Sequence, residues 1–444
     1  MRPHKPADDG GEDMFRHRLE NIINRRHELV RLADVIDWDR FDEAFGPNYG
    51  DKGRPALPTR LMVGLNILKY MEGLSDPEVC ARWVENPYYQ FFCGEVFFQH
   101  EAPFDRSSMT RWRQRLGEEK LTELIKESLA TATRTGALRV QDTRRVTVDT
   151  TVQPKNIAFP TDAKLVYSSI VRLGALCRRH GVKLRQSYVR VGKTALIMAQ
   201  RYAHAKQFKR HRKQVKFLQV RLGRIIRDIR RKTAGNAALE EVFADELGMA
   251  IQLRLQKKRQ EGRKLYSLHA PETECIGKGK AHKPYEFGCK VSVTTTNARA
   301  PGGMFVLHTK ALHGNPYDGH TLRGVIEELT NWIGVPPERT YVDKGYVGHD
   351  APNPRSVYRS GQKRGVHGQI KKELRRRSAV EPVIGHLKEE HRLNRNLLKG
   401  QQGDCINAVL AAAGHNFKRI AQWLKDLLRL ILQTICGSFK ALQT

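Results

Sequence analysis

Between Val171 and Gly235 the chain carries twenty lysines and arginines against a single acid, Asp228. That local balance of +19 in 65 residues restricts the fold, because so many like charges must stay in water or lie on a polyanion. Within the segment Val215, Leu218, Leu222, Ile225 and Ile229 recur at steps of three and four, the apolar seam of an amphipathic helix. A second helical run, Leu239 to Gln260, carries Phe243, Leu247, Ile251 and Arg254 on one stripe, and Thr233-Ala-Gly-Asn236 between the two reads as a turn. The pattern predicts a helical hairpin with a basic exterior. Such a face either stays solvated or lies on nucleic-acid phosphates.

The whole chain has 444 residues and a formal net charge of +31, so about three fifths of the excess (19 of 31) belongs to that one segment. With 40% hydrophobic residues the rest can bury a real core, which excludes a wholly disordered basic tail. The length predicts more than one domain. A polyanionic partner would relieve the repulsion, and nucleic acid is the first to consider; a basic surface kept for solubility is the alternative. Seven widely spaced cysteines without a C-x-x-C pair support neither a disulfide framework nor a zinc ribbon and fit a reducing cytosol. The N-terminal residues contain no apolar signal region. The apolar stretch from Leu427 to Cys436 is too short to span a bilayer and contains Arg429. The expectation is a soluble, cytoplasmic, nucleoid-associated protein.

Upstream of the basic segment the patterning is helical. An amphipathic helix is expected over Arg16 to Trp38, followed by a linker marked by Gly46-Pro47 and by Gly53 to Pro58. The next helix runs from Thr59 to Met71 and is ended by Gly73. Ser75-Asp-Pro-Glu78 forms a capping box with Pro77 in the first turn, opening a helix through Val79 and Trp83. A third helix starts near Asp105 to Ser108 and buries Met109, Trp112 and Leu116, with Arg106, Arg111, Arg113 and Arg115 directed elsewhere. Three short helices with a basic third one suggest a helix-turn-helix-like module in which Arg111, Arg113 and Arg115 contact DNA; packing or dimerisation is the competing use of the same pattern.

Strands are predicted at Arg145 to Val152, Lys290 to Thr296, Gly303 to His308 and Thr340 to Asp343, with helices over Thr321 to Trp332 and after Ser378. The expected architecture is α/β: a mixed sheet flanked by helices, interrupted by the basic helical insertion, and preceded by an all-α domain. The expected boundaries are 1–54 for an N-terminal arm and helix, 55–135 for the helical, helix-turn-helix-like DNA-binding domain and 136–160 for the first part of the sheet-bearing core. The insertion would occupy 161–266, and 267–444 the rest of the core and the C-terminal helices.

Three acids stand out in this basic chain. Asp149 falls mid-strand opposite Val146, Val148 and Val152; Asp343 ends a strand just before Lys344; Glu381 opens a helix. Adjacent strands can bring Asp149 and Asp343 together, and converging carboxylates need cations. Hard oxygen ligands favour Mg²⁺ or Mn²⁺ over zinc, and two such ions about 3.5 to 4 Å apart can drive phosphodiester cleavage without a protein nucleophile. The plainer readings are a surface acid or turn partner, as for Asp142 and Asp350, and for Glu381 a capping box with Ser378.

Arg377, Glu381 and Lys388, spaced four and seven apart, reproduce the signature helix of the DDE transposases of bacterial insertion sequences; Leu374 replaces the tyrosine that usually precedes the arginine by three. The segments Val148-Asp-Thr-Thr151, Tyr341-Val-Asp-Lys-Gly-Tyr346, Gly314-Asn-Pro-Tyr-Asp-Gly-His-Thr321 and Cys275 to Gly288 resemble those of the insertion-sequence-five group, as does the module from about Phe41 to Leu129. The resemblance covers most of the chain apart from its first 40 residues and the basic hairpin. It implies a ribonuclease H-like core with Asp149, Asp343 and Glu381 as ligands of two Mg²⁺ ions, replaceable by Mn²⁺. It implies binding of an element's terminal repeats, metal-dependent cleavage of the DNA ends, and transfer of the 3′-hydroxyls into target DNA. Arg377 would orient Glu381, Lys388 would grip the DNA backbone, and Lys344, Lys278, Lys280 and His320 are further candidates for phosphate contacts. Two ends must be handled together, which implies a homo-oligomer in a synaptic complex. Two other readings stay open: a catalytically inactive DNA-binding protein of the same fold, and a structural RNA-binding protein using the basic hairpin.

Overall fold

The computed structural model describes residues 17–50, 55–257, 260, 262–277 and 284–441, with side chains to residue 430. It divides into two compact units, one formed by Met1–Pro154 with Cys289–Thr444 and the other by Lys155–Gly288.

Over Arg16 to Trp38, where the periodicity predicts one helix, the first unit forms two, α1 (Leu19–Ile22) and α2 (Glu28–Val35), and a third short helix, α3 (Trp38–Phe45), starts where the predicted one should end. Polar side chains break it by offering the backbone other partners. Asn24 accepts from the Arg26 N–H at 2.9 Å, His27 caps α2 through the Leu29 N–H, and Asp37 caps α3 through the Arg40 N–H. Next comes α4 (Thr59–Met71), ending where predicted, at a Gly73 with φ of 65°. Apart from Arg60 it is buried on every side, which marks a central helix rather than a surface one. The capping box of α5 (Asp76–Glu85) is formed in both directions, with Ser75 N–H donating to Glu78 at 2.6 Å and Glu78 N–H to Ser75 at 3.3 Å. After α6 (Pro87–Phe92) the chain enters α7 (Ser107–Arg134), interrupted at Gly117 with φ of 73°, a conformation that costs a side-chain-bearing residue dearly. One apolar core runs from Leu29 through the sheet to Leu424. The N-terminal helices therefore share their core with the rest of the unit.

The chain then forms β1 (Arg145–Pro154) and crosses the second unit as α8 (Asp162–Arg179), α9 (Val189–His204), α10 (Phe208–Thr233) and α11 (Ala237–Leu255). The seam of α10 is buried as its spacing predicts, with Leu218, Leu222, Ile225 and Ile229 in one core and Val215 packed against it. On α11 the stripe differs. Phe243 and Leu247 are joined by Ala250, while Arg254 is exposed, because a guanidinium stays in water when an apolar neighbour can take the inner position. The helix stops at Leu255, where the Gln256 side chain instead accepts the Leu265 N–H at 2.8 Å. Asp228, the segment's lone acid, is held by the Arg185 N–H at 2.9 Å and by Arg231 and Lys232. This unit extends from 155 to 288, wider than the expected 161–266, because β2 (Glu274–Gly277) pairs antiparallel with the first residues of β3 (Tyr285–Thr296).

From residue 289 the chain is back in the first unit. It continues as β4 (Val306–Leu312), α12 (Leu322–Ile333), β5 (Arg339–Val342), β6 (Val357–Arg359), α13 (Gly368–Arg376), α14 (Val380–Glu389) and α15 (Gly400–Ala441). The sheet order there is β4-β3-β1-β5-β6, with β3 and β4 antiparallel and both β1–β5 and β5–β6 parallel. The strand β6 is too short to show in a periodicity. Among the described residues no helix is long and apolar enough to cross a membrane, and none of the six described cysteines forms a disulfide.

Candidate active site

Two parallel strands and one helix turn bring the acids together. The β1–β5 register pairs Arg145 with Arg339 and Thr147 with Tyr341; carried two residues further, it sets Asp149 level with Asp343. Alternation places Asp149 on the face opposite Val146 and Val148. Arg377 lies in a single 3-10 turn, Arg377–Ala379, that runs straight into α14, so its guanidinium and the Glu381 carboxylate fall on one face, four residues apart. The expected capping box at Ser378 does not form: its hydroxyl donates to the Arg375 carbonyl at 3.3 Å. The preceding turn leaves no bare helix start for it to cap.

Arg377 is the hub. Its Nη1 lies 3.3 Å from Asp149 Oδ2, and its Nη2 lies 3.9 Å from Asp343 Oδ1 and 3.6 Å from Glu381 Oε1. Exposure is graded: 14% for Arg377 and 19% for Asp149, but 50% for Asp343 and 67% for Glu381. Burial pushes the Asp149 carboxyl up to about 6, against the opposing pull of the Thr150 N–H and Arg377, and Asp343 and Glu381 add to the rise. One guanidinium therefore faces three carboxylates, and the innermost is crowded by its neighbours' charge.

A fourth acid that sequence reasoning did not single out reaches the same region. Asp318 Oδ1 accepts from the Thr150 hydroxyl at 3.2 Å and pairs with Lys290 at 3.1 Å, while Lys290 also donates to the Pro316 carbonyl at 2.8 Å. The nearby Tyr346 hydroxyl is buried, and burial together with Asp318, Asp149 and Asp343 raises it well above the ordinary tyrosine range. The available signal was the segment from Gly314 to Thr321, which contains Asp318.

The other predicted residues are scattered. Lys344 follows Asp343 directly and is exposed. Lys388 lies in the last turn of α14, half-buried. His320 is exposed, with its ring against Tyr317. Lys278 and Lys280 lie outside the described residues. On α7, Arg111 is exposed and donates to Ser107 at 2.6 Å, and Arg115 is exposed over the Tyr49 ring. Arg113 does not face outward. It is 2% exposed and binds Asp76 and, at 3.1 Å, Asn66. The reason is spacing: Arg113 is four residues after Met109 and three before Leu116, inside the buried stripe.

Residues 17–115 match the family described as "Transposase domain (DUF772)", and residues 353–421, which include Arg377 and Glu381, match "Transposase DDE domain". A protein of Rhizobium meliloti named "Uncharacterized protein ORF8 in nfe locus" is 57% identical over 208 residues, which are 47% of this chain and 100% of that protein. No solved structure matches the chain. With a transposase domain at one end, a DDE domain at the other, and a relative matched over its full length, the chain belongs to the DDE transposases of insertion sequences.

Proposed function

We propose that the protein binds the terminal repeats of a mobile DNA element, cuts the DNA at its ends and joins the freed 3′-hydroxyls to target DNA. The observation that carries this reading is the single guanidinium of Arg377 within 4 Å of Asp149, Asp343 and Glu381. The strand order β4-β3-β1-β5-β6 supports a ribonuclease H-like reading of the core, with Asp149 on β1 and Asp343 directly after the adjacent parallel strand β5.

The donor set fits a hard divalent cation: it offers carboxylate oxygens alone, and three negative charges meet one positive. Asp149, Asp343 and Glu381 would hold Mg²⁺, two ions being expected, with Mn²⁺ as a substitute. Bound there, the ions supply activation of the attacking oxygen and stabilisation of the leaving one. The chain's own groups do the rest. Arg377 keeps the three carboxylates converged before DNA arrives. Lys388 stands two turns, about 10 Å, along the helix from Glu381, a distance suited to the DNA backbone beside the cut. Lys344, Arg111 and Arg115 are exposed cations for further phosphates.

The basic helical unit would supply sequence-blind, salt-sensitive affinity, and the N-terminal helices the discrimination of element ends, which needs base-edge contacts. Handling two ends calls for a homo-oligomer in a synaptic complex. The test incubates purified protein with duplexes carrying the element ends, with Mg²⁺ or with chelator. Metal-dependent 3′-end cleavage that Asp149→Asn abolishes is expected. Cleavage that survives this substitution, or DNA binding with no cleavage under any divalent ion, refutes the enzymatic reading.

A further inference from the structure

A second cluster of ligating side chains lies apart from the carboxylates. Cys289 on β3, His313 just past β4 and Asp404 in the second turn of α15 each bring one ligating atom to a common point, all within 4.8 Å of one another. Cys289 and Asp404 are buried and His313 is half-buried. The thiol of Cys289 stands 3.5 Å from His313 Nδ1. Asp404 Oδ1 accepts from the Asn396 side-chain amide at 2.6 Å, which fixes the carboxylate from behind. A second thiol, Cys405, faces the opposite ring nitrogen, Nε2, at 3.6 Å.

We propose that Cys289, His313 and Asp404 form a zinc site. The donor chemistry selects the ion: a thiolate and an imidazole suit zinc and are poor ligands for Mg²⁺. A thiolate and a carboxylate together balance one Zn²⁺ while the imidazole stays neutral. The separation fits as well. Zn–S and Zn–N bonds of about 2.3 and 2.05 Å at a tetrahedral angle set sulfur and nitrogen about 3.5 Å apart, the distance found for Cys289 and His313. Closing the remaining sides of the triangle takes side-chain movement of about 1 Å. Three protein ligands would leave a fourth position for water, and half-buried His313 gives the site access to solvent.

The site is wired to the catalytic region. Next to Cys289, Lys290 holds Asp318 and the Pro316 carbonyl; the turn carrying both starts at His313. Asn396 donates its side-chain amide to Asp404 and its backbone N–H, at 3.0 Å, to the Pro154 carbonyl at the end of β1. Gln153 on β1 donates to the Asp404 carbonyl at 3.0 Å. An ion here clamps β3, the turn 313–321 and α15 around the end of the strand that bears Asp149. Its role is to position the Asp318 turn.

The test uses the full chain. Elemental analysis after growth in zinc should find about one zinc per chain, and Co²⁺ added to zinc-stripped protein should give the thiolate-to-cobalt absorption band. Cys289→Ser and His313→Asn should abolish both. Asn396→Ala should weaken affinity by about tenfold or more, as loss of a ligand's hydrogen-bond partner does. Asp149→Asn and Cys405→Ser should leave both readouts unchanged, separating this site from the carboxylates and from the second thiol. Stripping zinc should speed hydrogen exchange in residues 313–321. Absence of stoichiometric metal, or a cobalt band that survives Cys289→Ser, overturns the proposal and leaves a hydrogen-bonded Cys–His–Cys relay. If Cys289→Ser does not fold, the wild-type cobalt band and the Asn396→Ala shift decide, and neither depends on DNA cleavage.

Discussion

Replacing Asp76 by asparagine tests whether the cations of the N-terminal helices serve the fold or the DNA. Asp76 lies 2.7 Å from the Lys69 ammonium and binds both terminal nitrogens of Arg113; Lys69, like Arg113, is almost fully buried. The substitution Asp76→Asn keeps the shape and one acceptor oxygen but leaves two buried positive charges unpaired. Breaking such a set by removing one partner costs roughly 3 to 5 kcal/mol. An independent figure comes from proton linkage. Burial alone would raise the Asp76 carboxyl, but Lys69 and Arg113 overcome it and hold the group at about 2, below its ordinary 3.8. A difference of nearly two units corresponds to about 2.5 kcal/mol. Because the folded-state value is depressed, that stability is complete above the unfolded value and is lost as pH falls through about 4 towards 2.

Lys69 acts in the opposite sense. Burial, assisted by Arg113, lowers it from 10.5 to about 8. The folded state thus carries a costly ammonium at neutral pH, and stability rises as pH passes from about 8 to 10.5. Without Asp76 that window moves down, so Asp76→Asn should cost about 3 kcal/mol at pH 7 and visibly less at pH 9. Urea unfolding of both proteins at pH 3, 7 and 9 measures this. A cost below about 1 kcal/mol at pH 7, or one that does not change with pH, refutes the buried-network account.

The same account separates the α7 arginines: Arg111→Ala and Arg115→Ala should each weaken DNA binding and reduce its salt slope by about 1, while Arg113→Met should lower stability, seen in parallel salt titrations and melts. In metal-free protein Asp149→Asn should raise the melting temperature at pH 7, and with Mg²⁺ present it should abolish cleavage. The Asp149 value is raised from 3.8 to about 6, so its stability contribution is complete below the unfolded value and is lost as pH rises through the folded one. Removing the charge restores up to about 3 kcal/mol, and an unchanged melt at pH 7 contradicts this. Gly117→Ala should cost about 1 to 2 kcal/mol in urea unfolding, since φ of 73° strains any side-chain-bearing residue.

Much of the helical architecture was legible because its signals are local. The ends of α4, the Ser75–Glu78 capping box and the seam of α10 each depend on residues within a turn or two of one another. The same reasoning failed where a local alternative competed, as at Asn24 and His27, which split the helix expected over Arg16 to Trp38 into α1 and α2. It also failed at Arg113, where charge suggested an outward direction and the helical stripe placed the side chain inside.

By itself the sequence determined the ends of α4, the start of α5 and the seam of α10, the alternating strand that bears Asp149, the short strand that Asp343 closes, and the i,i+4 relation of Arg377 to Glu381. Helical and strand periodicities are properties of a single segment. The tertiary structure decided everything that depends on distance across the chain: the register that sets Asp149 level with Asp343, the approach of Asp318 to Thr150, the burial of Arg113 against Asp76, and the meeting of Cys289, His313 and Asp404. None of these has a spacing to read, because register and packing follow from how whole faces of the sheet and helices are buried against one another.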